Sequence, residues 1–159
     1  MVDFWLHLFV KEKVEEEHCG MQLRVLTAVP EMLPHLHLVQ QLTPSLTPQT
    51  YADLLRAMVP HRYAMLAAFD GEHCAGLSGF WIGHKLYSGR YLEIDNFIVD
   101  GPYRSTGVGR LLVDELVRIA EREGCRNVML DAYLDNTTAH GFYERHGFVK
   151  RGYHFMRAM

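Results

Sequence analysis

The residues best suited to chemistry form a short glycine-bearing turn, Arg104–Gly109, with the sequence Arg-Ser-Thr-Gly-Val-Gly. An extended apolar run at 91–99 precedes the turn, and an amphipathic helical run at 110–123 follows it. A turn from a strand into a helix leaves several backbone N–H groups unpaired, and the helix dipole adds partial positive charge there. The turn is therefore predicted to bind an anion such as a phosphate or a pyrophosphate.

A second chemical feature is a pair of carboxylates, Glu93 and Asp95, within the apolar run. Residues two apart on a strand share one face, so the two groups can serve one site. A primary amine with a pKa near 10.4 must lose a proton before it attacks a carbonyl, which costs about 4.6 kcal/mol at pH 7. A carboxylate can take that proton directly or through water. The alternative is a solvated acidic face without a catalytic role.

The elements that must position these residues follow from periodicity and turn signals. Thr47 caps a helix, Asp70 and Gly71 mark a tight turn, and Gly124 ends the helix after the glycine-bearing turn. The predicted order is βααβββαβαβ, which implies a mixed sheet with helices on both faces. The predicted strands are residues 21–29, 63–69, 74–82, 90–99 and 127–134, with a last strand or strand pair over 148–159. The predicted helices are 31–42, 48–59, 110–123 and a short one that Asn136 or Thr137 caps and Gly147 ends.

The composition is that of an ordinary globular domain. The chain has 159 residues, of which 48% are hydrophobic and 22% charged, enough for one domain with a sizeable core. The formal net charge of −3 argues against nonspecific nucleic-acid binding, which usually needs a basic face. Apolar runs fall short of the ~20 residues of a membrane span. We therefore expect neither a nucleic acid nor a membrane as a partner.

The cysteines and histidines form no pattern typical of a disulfide framework or a metal site. Three widely spaced cysteines favour a reducing compartment, so a cytoplasmic location is expected. The ten histidines show no spacing typical of metal ligands, so no metal is expected. Cys125 has no evident base nearby, which argues against a cysteine nucleophile.

Residues 1–20 are interpreted as an extension of a domain that covers 21–159. The apolar segment Phe4–Val10 is short, has no basic residue before it and lacks a small-residue cleavage site, so it makes a poor signal peptide. Residues 11–17 are charged and predicted to be helical. The extension is either an extra helix or the product of an upstream translation start.

Three pieces of the sequence, in this order, resemble the GNAT superfamily of acetyl-CoA-dependent N-acetyltransferases. The first is Arg104-x-x-Gly-x-Gly, which is similar to the family's Q/R-x-x-G-x-G/A pyrophosphate loop. The second is the strand that ends in Asn96–Pro102, and the third is Asn136–Phe148, which is similar to N-x-x-A-x-x-F-Y-x-x-x-G-F. The resemblance covers about residues 21–159, and the closing stretch also resembles small-amine and aminoalkylphosphonate acetyltransferases.

The resemblance implies a GNAT-like fold of the α/β class, with a mixed α+β arrangement: a central, mostly antiparallel, twisted sheet with helices on both faces. It implies acetyl-CoA as co-substrate, with the pyrophosphate on backbone N–H groups of the turn and the pantetheine arm docked against the strand end. It also implies that two strands splay apart to admit the co-substrate. The residues that it assigns to acetyl-CoA are Phe97, Ile98, Val99, Arg104, Ser105, Thr106, Gly107, Val108, Gly109, Arg110, Asn136 and Tyr143.

The resemblance also implies roles in catalysis. Tyr143 would protonate the departing CoA thiolate, since a phenol with a reference pKa near 10 can donate to a thiolate whose parent thiol is near 8.5; the alternative is a core aromatic. Glu93 would be the base, and Asp95 either the base or the group that binds the cationic amine. A backbone N–H near Ile98 or Val99 would polarise the carbonyl.

The acceptor stays open at this point. A small-molecule amine is expected, with a protein lysine or N-terminus as alternatives. Two further hypotheses are that the donor is a different acyl-CoA, or that the protein is a non-catalytic CoA-binding sensor or structural module on the same fold. The expected acceptor pocket draws on residues 43–62, 83–91 and the C-terminal strands, including Tyr51, Arg56, His61, Arg62, Trp81, Tyr87 and Tyr153. Asp131 and Asp135 favour a cationic acceptor, whereas Arg56, Arg62 and Arg157 can hold an anionic tail such as a phosphonate or a carboxylate. A homodimer is expected, built on Phe4–Val10 or on the C-terminal strand.

Overall fold

A six-stranded mixed sheet forms the centre of the computed structural model, which describes Glu17, His18 and residues 20–159. Neighbouring strands are antiparallel except for the last two, which are parallel. This confirms the predicted mixed, mostly antiparallel sheet. The strands, in sequence order and in sheet order, are β1 (Glu17–His18), β2 (Met21–Leu26), β3 (Tyr63–Asp70), β4 (His73–Lys85), β5 (Gly89–Val99) and β6 (Asn127–Leu130).

Helices cover both faces of the sheet, as predicted. They are α1 (Val29–Met32), α2 (Leu36–Val39), α3 (Pro48–Met58), α4 (Val108–Arg122) and α5 (Thr137–Arg145), with 3-10 turns at Leu33–His35, Val59–His61 and Gly101–Tyr103. Thr47 caps α3 by accepting from the Thr50 N–H, and Asn136 caps α5 by accepting from the Ala139 N–H. Both caps are residues that the sequence identified.

Two core clusters hold the helices to the sheet. The first core cluster lies under α4 and includes Leu23, Leu66, Phe80, Leu92, Ile94, Val108, Leu112 and Leu116. The second core cluster lies under α1, α2 and α3 and includes Leu38, Tyr51, Leu55, Tyr63, Met65, Leu77 and Ile98. Because each sheet face is buried by a different set of helices, side chains that alternate along a strand reach two distinct environments.

The helix predicted over residues 31–42 is broken into two short pieces. A 3-10 turn at Leu33–His35 separates α1 from α2, and Pro34 lies within it. Proline removes a backbone donor, and the chain leaves helical geometry at the next residue, His35, with φ −96° and ψ 9°. The apolar period continues across the break, so Met32 and Leu38 still reach the second core cluster.

The central hairpin is longer than predicted. A loop was expected over residues 83–89, but β4 continues to Lys85, which pairs with Gly89. Only a tight turn at 86–88 remains. The side chains of Leu86 and Tyr87 project from this turn into solvent.

The prediction of a closing strand over residues 148–159 is wrong. This segment has no regular secondary structure, and the strand predicted over 127–134 ends at Leu130. Alternating aromatic residues predicted a strand, but a strand also needs a neighbour for its backbone hydrogen bonds. Within the described residues β6 pairs with β5 alone. Tyr153, Phe155 and Met156 are therefore left exposed.

Most of the N-terminal extension, including Phe4–Val10 and residues 11–16, lies outside the described residues. Its end joins the sheet, where Glu17 and His18 pair with Gln22 and Met21. None of the helices described is long and apolar enough to cross a membrane.

Candidate active site

The strands β5 and β6 separate halfway along β5. Their pairing ends where Ile94 lies opposite Leu130, yet β5 continues to Val99. The backbone beyond Ile94 therefore presents an edge that β6 does not occupy. An open strand edge offers N–H and C=O groups to an extended ligand, which then binds as an added strand. This is the splay that the family resemblance implied.

An irregularity in β5 marks the same place. The register with β4 shifts between Leu77 and Gly79, and Asn96 adopts a left-handed φ of 49°. Ile94 packs in the first core cluster, whereas Ile98 packs in the second. Residues four apart on a regular strand share a face, so one extra residue must lie between them. This bulge turns Phe97 and Val99 toward the helices α4 and α5.

The glycine-bearing turn enters α4 with the backbone geometry of an anion site. Ser105 and Gly107 both have positive φ values, 65° and 102°. Gly107 is the N-cap and has no side chain to accept from the first-turn N–H groups of α4. A Cβ atom on Gly107 would meet nothing within 4 Å. The first turn of α4 therefore faces open space with its dipole and its N–H groups.

Several side chains at the turn have partners or packing contacts within the protein. The Thr106 hydroxyl donates to the Tyr103 carbonyl at 2.7 Å, and Arg110 pairs with Asp114 in an exposed position. Val108 is buried in the first core cluster, and a Cβ atom on Gly109 would lie 3.3 Å from the Phe142 ring. The backbone is thus what this turn can offer to an anion.

Arg104 is held by two partners, one of which the sequence did not indicate. Its Nε donates to the Val99 carbonyl at 3.1 Å, and its Nη2 donates to Gln41 Oε1 at 3.0 Å. Gln41 in turn donates to Asp100 Oδ1 at 2.9 Å. The Gln41 hydrogen bond, followed by that of His73, holds the pKa of Asp100 below its ordinary value. The network fixes the start of the turn to the end of β5.

Tyr143 lies beside the parted strands. Its ring is 6.0 Å from that of Phe97, between centroids, and 5.6 Å from that of Phe148. Burial raises the pKa of Tyr143 to about 12. The hydroxyl is therefore fully protonated near neutral pH and can serve as a donor.

Glu93 and Asp95 lie on the other sheet face, as their spacing predicted. They alternate with Leu92 and Ile94 of the first core cluster, so they share the face of the second core cluster. Glu93 Oε2 is 3.7 Å from Lys85 Nζ. Asp95 Oδ2 accepts from the Trp81 indole N–H at 3.2 Å.

The structure changes the predicted acceptor pocket. Tyr51 does not line it, because its ring is buried in the second core cluster and its hydroxyl donates to the Met32 carbonyl at 3.1 Å. Arg56 is exposed and pairs with Asp53, one turn earlier on α3. Tyr153 lies in the exposed tail. The half-buried Trp81 remains beside the two carboxylates.

Metal and thiol chemistry find no support among the described residues. None of their His, Cys, Asp and Glu side chains form a group of three suited to a metal ion. Cys74 and Cys125 are free thiols, and burial raises the pKa of both, that of Cys74 to about 11. Neither is an activated nucleophile.

Comparison with known proteins places this arrangement in a family. The model of the acetyltransferase (GNAT) family matches residues 32–148. The chain belongs to the GNAT family. This GNAT chain is 27% identical to the uncharacterised N-acetyltransferase YhdJ of Bacillus subtilis (strain 168) over 139 residues, which are 86% of this chain and 98% of that protein.

Solved structures agree with the family match. An acetyltransferase of Trypanosoma brucei has a TM-score of 0.72 at 25% identity, covering 87% of the GNAT chain and 99% of its own. The aminoglycoside N-acetyltransferase AAC(6')-Iy in complex with CoA has a TM-score of 0.77 at 19% identity, covering 87% and 94%, and thus shares the fold. The GNAT chain is an N-acetyltransferase, and its family supports acyl transfer from acetyl-CoA.

We expect Gly107→Glu to abolish acetyl-CoA binding in isothermal titration calorimetry. The new side chain brings negative charge to the space in front of the α4 N-terminus, where a phosphate would lie. Gly124→Glu is the matched control, because Gly124 also has a positive φ and open surroundings but ends the same helix. The two variants share the left-handed strain of about 1–2 kcal/mol. Unchanged affinity in a folded Gly107→Glu protein would show that the pyrophosphate binds elsewhere.

Proposed function

We propose that this enzyme transfers an acetyl group from acetyl-CoA directly to the primary amine of a small molecule, within a ternary complex. The amine nitrogen attacks the thioester carbonyl carbon and forms the N–C bond, and the C–S bond then breaks. The amine loses a proton to a carboxylate, Glu93 or Asp95, and the departing sulfur receives a proton from Tyr143. A backbone N–H of β5 near Ile98 or Val99 polarises the carbonyl oxygen.

The observation that carries this proposal is the open edge of β5 between two complementary groups. The uncapped first turn of α4 lies at one end of this edge, and Tyr143 packs against Phe97 along it. Acetyl-CoA needs an anion-binding site for its diphosphate, a strand edge for its amide-bearing pantetheine arm and a proton donor near its sulfur. The family match adds that the chain is an acetyltransferase. Asn136 caps α5, the helix that carries Tyr143, and is proposed as a further contact to the pantetheine arm.

Direct transfer is favoured over an acyl-enzyme intermediate. Cys74 is buried in the second core cluster, and Cys125 follows the end of α4. Their raised pKa values leave little thiolate at neutral pH. The free thiols also support our proposal that the enzyme works in the reducing cytoplasm.

The acceptor is proposed to be cationic before it reacts. Glu93 and Asp95 supply negative charge on the face that α1, α2 and α3 cover, and Trp81 supplies an aromatic surface. Among proteins of the same fold, AAC(6')-Iy has been solved with a bisubstrate analogue, CoA-S-monomethyl-acetylneamine. A small polar amine suits such a half-buried face.

Release of free CoA thiol with a panel of amines tests the proposal. We expect turnover with acetyl-CoA and at least one small primary amine, and an acetylated amine in mass spectrometry. Succinyl-CoA and a peptide bearing lysine serve as comparison donor and acceptor. Tight CoA binding without turnover of any acceptor would indicate a binding module instead.

Tyr143→Phe should lower kcat by about a hundredfold or more, in the range of general-acid effects. Affinity for acetyl-CoA should change less than about threefold, since the ring remains. Tyr133→Phe is the control, because Tyr133 is an exposed tyrosine just before α5. Equal turnover in wild type and Tyr143→Phe would remove this residue from the acid role.

The pH dependence of kcat offers a separate check on Tyr143. The residue must be protonated to donate, and burial raises its pKa to about 12. A phenol at the reference value of about 10 would be half deprotonated at pH 10. We therefore expect no alkaline loss of kcat from this group up to about pH 10. A decline centred near pH 9 that Tyr143→Phe abolishes would contradict the assignment.

We also propose a homodimer that involves the C-terminal segment 149–159. This segment exposes large apolar side chains, and β6 has an edge that pairs with no other described strand. Exposed apolar patches often mark contact surfaces. The double variant Phe155→Ser and Met156→Ser should shift the mass measured by light scattering from dimer to monomer. Leu86→Ser with Tyr87→Ser, at the exposed hairpin turn, is the control. A monomeric wild type at high concentration would rule the dimer out.

A further inference from the structure

Glu93 and Asp95, the two carboxylates on the sheet face where the acceptor is proposed to bind, have different surroundings. Glu93 lies opposite Met129 of β6, within the paired part of the sheet, and its Oε2 is 3.7 Å from Lys85 Nζ. The same ammonium group lies 4.5 Å from the centre of the Tyr91 ring and 3.4 Å from Met129 Sδ. Glu93 therefore already has a cation beside it, held in place by two further contacts.

Asp95 lies at the point where the strands part. It follows Ile94, the last residue of β5 that pairs with β6. Its Oδ2 accepts from the Trp81 indole N–H at 3.2 Å. A carboxylate accepts hydrogen bonds at both oxygens, so Oδ1 can meet an ammonium group or take a proton while Oδ2 stays held.

Trp81 is supported in turn by Tyr63. The two residues lie opposite each other on β3 and β4, and their ring centroids are 4.9 Å apart. Tyr63 is only 1% exposed, whereas Trp81 is half-buried. A buried ring with one packing arrangement limits the rotamers of the indole that leans on it. The direction of the Trp81 N–H is thereby fixed toward Asp95.

The Tyr63 hydroxyl reaches across β4 to the bulge of β5. A Cβ atom on Gly79 would lie 2.2 Å from this oxygen, so only glycine leaves room for it. Gly79 lies opposite Asp95, and the hydroxyl also interacts with the Asn96 side chain. Asn96 is the residue of the bulge with the left-handed φ. Tyr63 thus contacts both the partner of Asp95 and its neighbour in the chain.

We propose that Tyr63 and Trp81 are positioning residues that hold Asp95, rather than Glu93, as the carboxylate that meets the acceptor amine. The inference rests on the proposed function and assigns the base within it. The amine docks on Asp95 as an ammonium ion, loses one proton to Asp95 Oδ1, and attacks the thioester carbonyl as the neutral amine. The second proton, which the acylated nitrogen loses, replaces the one that Tyr143 gives to the departing sulfur, and Asp95 then releases its proton to solvent. Glu93 stays paired with Lys85 and contributes to the charge of the face.

A matched pair of substitutions separates the two carboxylates. Asp95→Asn and Glu93→Gln each remove one negative charge from the same strand face. We expect Asp95→Asn to lower kcat/KM for the acceptor by about a hundredfold or more, and Glu93→Gln to lower it at least tenfold less. KM for acetyl-CoA should stay within about threefold in both. A larger loss in Glu93→Gln would overturn the proposal.

Trp81→Phe tests the positioning role, because it keeps an aromatic ring against Tyr63 and removes the indole N–H, together with part of the ring. We expect a loss of roughly tenfold to a hundredfold in kcat/KM for the acceptor, typical of a hydrogen bond to a charged group. In an Asp95→Asn background the same substitution should cost nothing further, since its effect passes through Asp95. Independent, additive losses would show that Trp81 acts in another way.

Tyr63→Phe and Tyr51→Phe separate positioning from stability. Both tyrosines are buried in the second core cluster, where the Tyr51 hydroxyl donates to the Met32 carbonyl and the Tyr63 hydroxyl interacts with the Asn96 side chain. Both variants should lower the melting temperature, but only Tyr63→Phe should lower kcat/KM for the acceptor. Equal kinetic effects would overturn the proposal. If the wild type acetylates no amine, the proposed function and this inference fail together; if it does and Asp95→Asn is as active, only the inference fails.

Discussion

The early end of pairing between β5 and β6 is the constraint on which the site depends. Backbone N–H and C=O groups in a sheet need partners, and a buried group left without one costs about 1–3 kcal/mol. Beyond Ile94 that partner is not β6. The fold therefore leaves backbone groups of β5 that an extended, amide-bearing ligand can pair with. The neighbouring helices α4 and α5 bring a helix N-terminus and the Tyr143 hydroxyl, the proposed proton donor, to this edge.

The bulge in β5 lets one strand contribute to both halves of the proposed reaction. Before it, Glu93 and Asp95 face α1, α2 and α3, where the acceptor is proposed to lie. After it, Phe97 contacts Phe142 and Tyr143 of α5, on the side of the leaving group. Without the extra residue, the strand would present the same alternation throughout.

Local sequence signals predicted the parts of the site that depend on local chemistry. The strand, the turn and the helix around Arg104–Gly109 were found because glycine placement and helical periodicity are properties of short segments. The caps Thr47 and Asn136 and the shared face of Glu93 and Asp95 belong to the same class. In these places the structure agrees with the sequence almost residue by residue.

The parts that sequence reasoning missed depend on contacts between distant segments. Gln41 reaches Arg104 from 63 residues away, and no local pattern distinguishes it from other surface glutamines. Tyr63 looked like an ordinary first residue of a strand, although its hydroxyl spans β4. An aromatic ring can bind a cation, which predicts a place for Tyr51 in the pocket, but the register of α3 turns it into the core.

The anchoring of Arg104 between Gln41 and the Val99 carbonyl has a consequence for the end of each cycle. Together with the hydrogen bond from Thr106 to Tyr103, it orders the turn before any ligand arrives, so little entropy is lost on association. In the proposed binding mode the turn holds the diphosphate, which acetyl-CoA and free CoA have in common. A preorganised turn would then hold the spent carrier as firmly as the loaded one, so the proposed site implies product inhibition by CoA.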